Sequence, residues 1–320
     1  MSEIKATSAP AVTVIALCFN HARFLIECLD SIAAQTFQNF QLIVTDDCSK
    51  DGSAQLIEDW LRVHRPDALF IRHSVNVGLC KTLNEALAKS QGEFISMIAT
   101  DDAWEPAKIE CQLAVATQSG EQVAVIYSDA SRMDEDGARL EKNFIDSHAP
   151  DCTRPSGAVF AELANRNFIP AMSTLIRRQA LVNVGMYDER LAYEDYDMWL
   201  RLASKYEFVY VPATVARYRI VATSMVRTIF TNPSPHYMYT VYLICMKWLP
   251  GPLLKASQRV AWKNRLWDAA YGLYAVNDRR ASACLWQAAW YGRKPYAALL
   301  ALTNAMGISR DRARRLVGRS

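Results

Sequence analysis

The sequence predicts an α/β fold, a mainly parallel sheet flanked by helices, joined to an all-helical C-terminal region. Three observations carry this. Apolar, β-branched runs alternate with segments of helical periodicity through about residue 128, the pattern of crossover units in a parallel sheet. Two acidic doublets, Asp46-Asp47 and Asp101-Asp102, each close a strand-like run, where open α/β sheets bind their ligands. Beyond Ile229 the strand-like runs stop and only helical patterns remain. The expected division is 1–229 for the α/β part and 230–320 for the helical part.

The first strand is Val12-Thr13-Val14-Ile15-Ala16-Leu17, a run of the kind buried at the centre of a sheet. A helix follows over about 22–35, with Leu25, Cys28, Leu29 and Ile32 recurring on one face. A second strand ends at Thr45. The polar stretch 47–53 is a turn, with Ser53 placed to cap the helix that carries Leu56, Ile57 and Trp60. Residues 68–72 form a third strand and 94–98 a fourth, separated by a helix over 78–89 with Leu79, Leu83, Ala86 and Leu87 inward. Pro106 opens a helix at an early position that proline tolerates, and 123–127 is a fifth strand. The alternation then breaks. Residues 129–165 are polar and irregular, and a stretch this long inside a domain reads as a functional loop or lid. After it come a strand over 172–177, a helix near 179–184, a helix over 195–204, and two short strands, 208–211 and 215–219. The tail holds helices over 236–249, 253–276, 278–291 and 295–305, then a basic end from Arg310 to Arg319.

A chain of 320 residues, 51% hydrophobic and 22% charged, is an ordinary globular protein with room for a full α/β domain and an extra segment. Its net charge of +3 is unevenly spread. From Gly251 onward there are 13 Lys/Arg against 3 Asp, a sum of +10, while the preceding residues sum to −7. A basic tail on an acidic body suits an anionic partner such as a membrane surface, and solvated helix faces explain it equally. Five of the eight tryptophans, at 248, 262, 267, 286 and 290, fall in the helical region beyond Ile229. They suit helices lying at a lipid interface or packed helix hairpins, and both readings stay open. The eight cysteines are scattered without a C-x-x-C pair, so no zinc site or disulfide framework is expected, and a cytoplasmic setting is. Met1 to Pro10 has no apolar run of a signal peptide, and no stretch reaches about 18 uninterrupted apolar residues. A nucleic-acid partner is not expected.

Adjacent carboxylates repel, so each doublet is costly unless a cation or a strong donor shares it. Two doublets at strand ends therefore point to a site for a metal and a phosphorylated nucleotide. The turn after the first strand is Cys18-Phe19-Asn20-His21, without the Gly-x-Gly-x-x-Gly of a nicotinamide-binding enzyme. A nucleotidylyltransferase would want a glycine-rich basic loop at the same turn, and none is present.

Six segments in order resemble a family 2 glycosyltransferase of the GT-A fold, over about residues 12–225. The run from Val12 to Asn20 is similar to that family's opening strand and turn. Leu29-Asp30-Ser31-Ile32-Ala33-Ala34-Gln35-Thr36-Phe37 resembles its L-x-S-[IL]-x-x-Q-T-[FY] segment. Ile43 to Ser53 resembles [IV]-[IV]-x-D-D-x-S-x-D-[GN]-[ST], and Asn76-Val77-Gly78 its N-x-G element. Asp101-Asp102-Ala103-Trp104-Glu105-Pro106 resembles D-D-x-[WY]-x-P. Gly185-Met186-Tyr187-Asp188-Glu189 with Glu194-Asp195-Tyr196-Asp197-Met198-Trp199-Leu200-Arg201 resembles the acceptor half's G-x-[FY]-D-E and E-D-x-D-x-W-x-R.

The resemblance implies a donor-binding half over about 11–128, an acceptor half over 129–229, and inverting transfer of a single sugar from a nucleoside-diphosphate donor to an acceptor hydroxyl. Bacterial surface-polysaccharide or lipid-linked glycan assembly is the implied setting, at the inner face of the cytoplasmic membrane. It assigns Asp46 to the nucleotide base, where a carboxylate accepts the imide N–H of a uracil-like ring, hence a UDP- or dTDP-sugar. Ala16, Cys18, Phe19, Asn20, Asn76, Gly78 and Asp101 are the other implied donor contacts. Asp102 would hold a divalent cation, Mn²⁺ or Mg²⁺, because hard oxygen ligands suit such an ion. Asp195 would be the general base, assisted by Glu194, and Trp199 would stack on an acceptor sugar. The chain departs from the family at two places: Ala99 stands where many members carry a third acid, and Tyr218-Arg219-Ile220-Val221 lacks a late histidine found in some. On local pattern, Asp195 also reads as a helix N-cap, Asp47 and Asp51 as turn formers, and Trp104 and Trp199 as core aromatics. Arg201 could contact a diphosphate or pair with a structural acid. The five histidines show no ligand spacing. Missing Gln-x-x-Arg-Trp and membrane spans argue against a processive synthase, whereas a polyprenyl-phosphate sugar synthase and a non-catalytic nucleotide-sugar binder remain as alternatives.

Overall fold

The computed structural model describes residues 9–221, 233–292 and 295–308. Its strands are β1 (Val12–Cys18), β2 (Phe40–Asp46), β3 (Leu69–Arg72), β4 (Phe94–Ala99), β5 (Ala103–Trp104), β6 (Val123–Met133), β7 (Thr174–Arg177) and β8 (Glu207–Arg219). They form one sheet in the order β3-β2-β1-β4-β7-β6-β8-β5. The first four strands in that row are parallel, β7 runs antiparallel between β4 and β6, and β6 pairs parallel with β8. Helices α1 (Leu25–Ala33), α2 (Ser53–His64), α3 (Leu79–Ala88) and α4 (Lys108–Gln118) make the early crossovers. β1 is buried along nearly its whole length, as a central parallel strand covered on both faces must be. Leu25, Cys28, Leu29 and Ile32 of α1 pack onto it with the spacing that brings one helix face to a core.

Three expectations are corrected. Ser53 does not cap α2: Gly52 occupies the cap position at φ 91°, and Ser53 is already the first helical residue. Its hydroxyl donates to Asp51 Oδ1 at 2.6 Å and accepts from the His21 N–H, so it joins two turns instead. Residues 129–165 are not one irregular lid. β6 continues to Met133, and α5 (Phe144–His148) and α6 (Phe160–Asn165) follow. Polar partners hold this segment: Arg154 pairs with the buried Asp129 and with Asp146, and the Tyr127 hydroxyl donates to Pro155 O at 2.6 Å. Polar composition concealed the strand because Ser128, Asp129 and Ser131 are buried in it. Finally, the two short strands expected at 208–211 and 215–219 are one strand, β8. Its pairing with β6 slips between Tyr210 and Thr214, around Pro212, which has no N–H to give a ladder.

After a turn of 3₁₀ helix (Ala171–Ser173) and β7 come α7 (Arg178–Asn183) and α8 (Asp195–Ala203). By internal contacts the chain divides into two units. One holds residues up to Glu189 with Glu194–Val221; the other holds Arg190–Tyr193 and the described residues beyond 232. The second unit is helical: α9 (Pro235–Trp248), α10 (Ala256–Ala275), α11 (Ala281–Gly292) and α12 (Pro295–Ala305). Ser234 caps α9 by accepting the Tyr237 N–H, ahead of a proline at the first helical position. Trp262, Leu266, Leu273, Ile244 and Leu285 lie in its core. The basic end expected from Arg310 lies outside the described residues.

Candidate active site

β1 ends between the two acidic doublets. Cys18 stands in register with Asp46 on β2, and Leu17 with Ala99 on β4. Beyond the ladder, Asp47 N–H donates to Cys18 O at 3.0 Å and Thr100 N–H to Leu17 O at 2.9 Å. One doublet thus leaves each flank of a single strand end, at the carboxyl edge of the sheet.

Asp46 is 1% exposed, and its Oδ2 accepts the Ser49 N–H at 3.1 Å. Its Oδ1 is buried without a hydrogen-bond partner. A buried acceptor of this kind is expensive unless something donates to it. Asp47 is the opposite case. It accepts from Val77 N–H (2.8 Å), Gly78 N–H (2.9 Å) and His73 Nδ1 (2.9 Å), while its carbonyl accepts from Asn76 Nδ2 at 3.3 Å. Rather than forming its own turn, Asp47 clamps the 73–78 loop, and glycine at 78 permits the φ of 89° the loop requires. Burial works to lower the His73 pKa, but Asp47 and Glu85 on its two ring nitrogens outweigh it and raise it. The polar groups of Asn76 and Gly78 proposed for the donor are therefore engaged in shaping this loop. Asn20, at φ 58°, receives the Lys50 N–H and gives its own to Ser49 Oγ, both at 2.8 Å, pinning the 48–53 turn. Phe19 is 45% exposed at the mouth of the site. Ala16 does not reach it. It is wholly buried mid-strand with ladder partners on both sides, Val44 and Ile98.

At the other flank, Asp102 is buried and its Oδ1 accepts the Arg219 N–H at 2.8 Å. Burial, then the charge of Asp101, pushes its carboxyl well above the ordinary range. Asp101 is partly exposed, with Oδ1 3.8 Å from His21 Nδ1, whose ring lies 3.0 Å from Thr100 Oγ1. The buried Arg219 guanidinium donates to Asp101 O (2.9 Å), to Asp134 and Glu135 carbonyls, and to Glu27, with Phe24's ring beneath it. It shapes the acidic turn while the turn's carboxylates stay unpaired with it. Among the described residues no group of three or more His, Cys, Asp or Glu side chains gathers to hold a metal alone. One buried carboxylate beside another fits a cation that takes its remaining ligands from phosphate oxygens and water.

Asp195 is the first residue of α8 and not its cap. Its Oδ2 accepts from Asn167 Nδ2 at 2.9 Å and its Oδ1 from the Tyr196 N–H at 2.6 Å. Burial raises its pKa against these bonds, and burial together with Asp195 pushes Glu194 up to about 8. The Tyr218 hydroxyl reports where these acids lie. Burial raises its pKa first, and the charges of Asp102, Asp101 and Asp195 add to it, so the fields of all three acids reach one hydroxyl on β8. Trp199 is corrected: it is 1% exposed, a core aromatic, and no sugar can stack on it. Arg201 pairs with a structural acid, its Nε 2.8 Å from Asp197 Oδ2.

Sequence reasoning missed Arg219, Tyr218, Asn167, His21 and His73. The Tyr218-Arg219 pair was visible only as the place of an absent histidine; Asn167 carries no local signal.

The family model described as Glycosyl transferase family 2 matches residues 13–187, more than half of the chain and the whole of the β1–β7 frame that carries both doublets. The chain belongs to glycosyl transferase family 2. This family 2 glycosyltransferase is 26% identical over 218 residues to the putative teichuronic acid biosynthesis glycosyltransferase TuaG of Bacillus subtilis, covering 68% of this chain and 81% of that one. It spans 28% to 62% of the length of the first curated relatives it matches, uncharacterised glycosyltransferases of Rickettsia. Its fold is that of S. aureus TarS 1–349 solved with UDP-GlcNAc, at TM-score 0.61 and 18% identity over 96% of this chain and 92% of that one. It is also that of the mannosyltransferase PcManGT from Pyrobaculum calidifontis solved with GDP-Man and Mn2+, at TM-score 0.58 and 18% identity over 95% and 88%. The family 2 chain has the GT-A architecture, with additional C-terminal helices.

Proposed function

We propose that this chain transfers a single sugar from a nucleoside-diphosphate sugar to an acceptor hydroxyl with inversion, in bacterial surface-polysaccharide or lipid-linked glycan assembly. The observation that carries the reading is the meeting of both acidic doublets at the β1 end, with the charge of Asp195 reaching Tyr218 together with those of Asp101 and Asp102. Asp46 reads the base, because its partnerless Oδ1 can accept a ring N–H; this favours a UDP- or dTDP-sugar. Phe19 and the Cys18–Asn20 turn border that pocket, and Asp101 faces the donor ribose. Asp102 would hold a divalent cation, which when bound offsets the charge gathering on the leaving diphosphate. The ligands of the solved neighbours, UDP-GlcNAc and GDP-Man with Mn2+, support a nucleotide sugar and a metal for this architecture. Asp195, oriented by Asn167, takes the proton of the acceptor hydroxyl as it attacks. One base opposite the leaving group implies inversion. The similarity to TuaG, a putative teichuronic acid biosynthesis glycosyltransferase, supports the polysaccharide setting. We place the reaction in the cytoplasm, at the inner face of the membrane.

The test is donor turnover with Mn²⁺ or Mg²⁺ across a panel of nucleotide sugars. Asp195→Asn is expected to lower turnover roughly 10²–10⁴-fold, the usual worth of a general base, while leaving nucleotide binding in place. A protein that binds donor but never turns it over would be the non-catalytic binder instead.

A further inference from the structure

The helices α11 and α12 place their largest apolar side chains on the wrong side for a core. In α11 the buried face is Ala281, Cys284, Leu285 and Ala288, at the spacing of one helical stripe. Trp286 and Trp290, one turn apart, point outward, the second 79% exposed. In α12 the small Ala297 and Ala301 are buried, whereas Tyr296, Leu299 and Leu302 are exposed, with Met306 just beyond. A helix packed only for stability would bury the tryptophans and expose the alanines. The same stretch concentrates positive charge. No glutamate occurs after Gly251, and the 13 Lys/Arg against 3 Asp include Arg279-Arg280 before α11 and Arg293-Lys294 between the two helices.

Outward aromatic and apolar side chains in a stretch of net positive charge match a bilayer surface, where rings enter the headgroup layer and cations meet anionic lipid. No helix among the described residues is long and apolar enough to cross a membrane, so such helices lie in the surface plane. A second copy of this chain is the poorer occupant, because it would bring two tails of +10 together.

We propose that the outward face of α11 and α12 docks on an anionic lipid surface. The proposal deepens the transferase reading by naming the surface that delivers the enzyme to a lipid-linked acceptor, but the tail residues alone carry it. The full chain is to be sedimented with vesicles of phosphatidylcholine, with and without phosphatidylglycerol. Retention on the anionic vesicles, reversed by salt, with quenching of tryptophan emission by brominated lipid, is the expected result. Trp290→Ser combined with Leu299→Ser should weaken vesicle affinity by about tenfold or more, with donor turnover in vesicle-free buffer and circular dichroism unchanged. Equal retention on neutral vesicles, no retention at low salt, or no quenching by brominated lipid would overturn the proposal. A dimer that the double variant dissolves would overturn it in favour of a second copy. Lipid binding without donor turnover would sink the transferase reading and leave this one standing.

Discussion

Asp46 and Asp47 share a peptide bond, yet the fold uses them oppositely: three donors saturate the second, and one oxygen of the first is left bare inside the protein. The difference arises because alternate residues at a strand end face opposite sides of the sheet. Glu194 and Asp195 divide in a comparable way. With Glu194 raised to about 8, it holds a proton near neutral pH and puts no like charge beside Asp195, the proposed base. Turnover should therefore fall as pH drops through a limb lying above the ordinary aspartate range, and Glu194→Gln, which mimics the protonated neighbour, should leave that limb in place. The linkage has a definite sign. A carboxyl whose folded pKa is raised supports stability below its ordinary value of about 4.5 and loses that support as pH climbs through about 8. Urea denaturation at about pH 5 and about pH 9 should show Glu194→Gln gaining stability over the parent at the higher pH only. A gain at both values would mean Glu194 is not protonated in the folded protein.

Among the elements, β8 and the entry to β4 have the most consequence. β8 sets its backbone against Asp102 and its Arg219 side chain against the 101 and 134–135 carbonyls, so a strand far along the chain fixes the acidic turn after β4. Gly92, just ahead of β4, lies so close to β1 that a Cβ there would fall 2.4 Å from Thr13 N and 2.5 Å from Val12 C. Backbone atoms of a central strand cannot step aside. Gly92→Ala should thus destabilise the protein by about 1–3 kcal/mol or more, the range for overpacking a filled interior. Equilibrium denaturation measures it, and a change within a few tenths of a kcal/mol would mean β4 can shift along β1.

At the scale of the whole molecule, the acids proposed for the site lie in the α/β unit and the exposed apolar side chains of α11 and α12 in the helical one. A ligand held by the folded α/β unit alone raises apparent stability, by about 2.7 kcal/mol at a hundredfold excess over its Kd. UDP with Mn²⁺ should therefore raise the melting temperature. Asp102→Asn should remove the metal-dependent part of the rise, and Asp46→Asn should lower the response to nucleotide with or without metal. If GDP stabilised the protein as well as UDP does, the base assignment to Asp46 would lose its ground.

Much of this was legible beforehand because the signals are local. The period of Val12–Leu17 marks a central strand, the spacing of Leu25, Cys28, Leu29 and Ile32 marks a helix face, and doublets after strands mark the sheet's carboxyl edge. The fold class and the acidic positions follow from such short-range patterns in the sequence alone. What only the tertiary structure decided depends on partners distant in the chain. Trp199 is core because the sheet and helices close around it, Asp47 is spent because residues 73–78 return to it, and Asp195 is aimed by Asn167. The continuation of β6 over 128–133, beyond the strand expected at 123–127, was hidden by buried serines and an aspartate whose partners lie elsewhere. Periodicity records which face of an element is apolar; it carries no record of which distant group will meet a polar atom, and in this protein those meetings decide which acids are engaged in holding the fold.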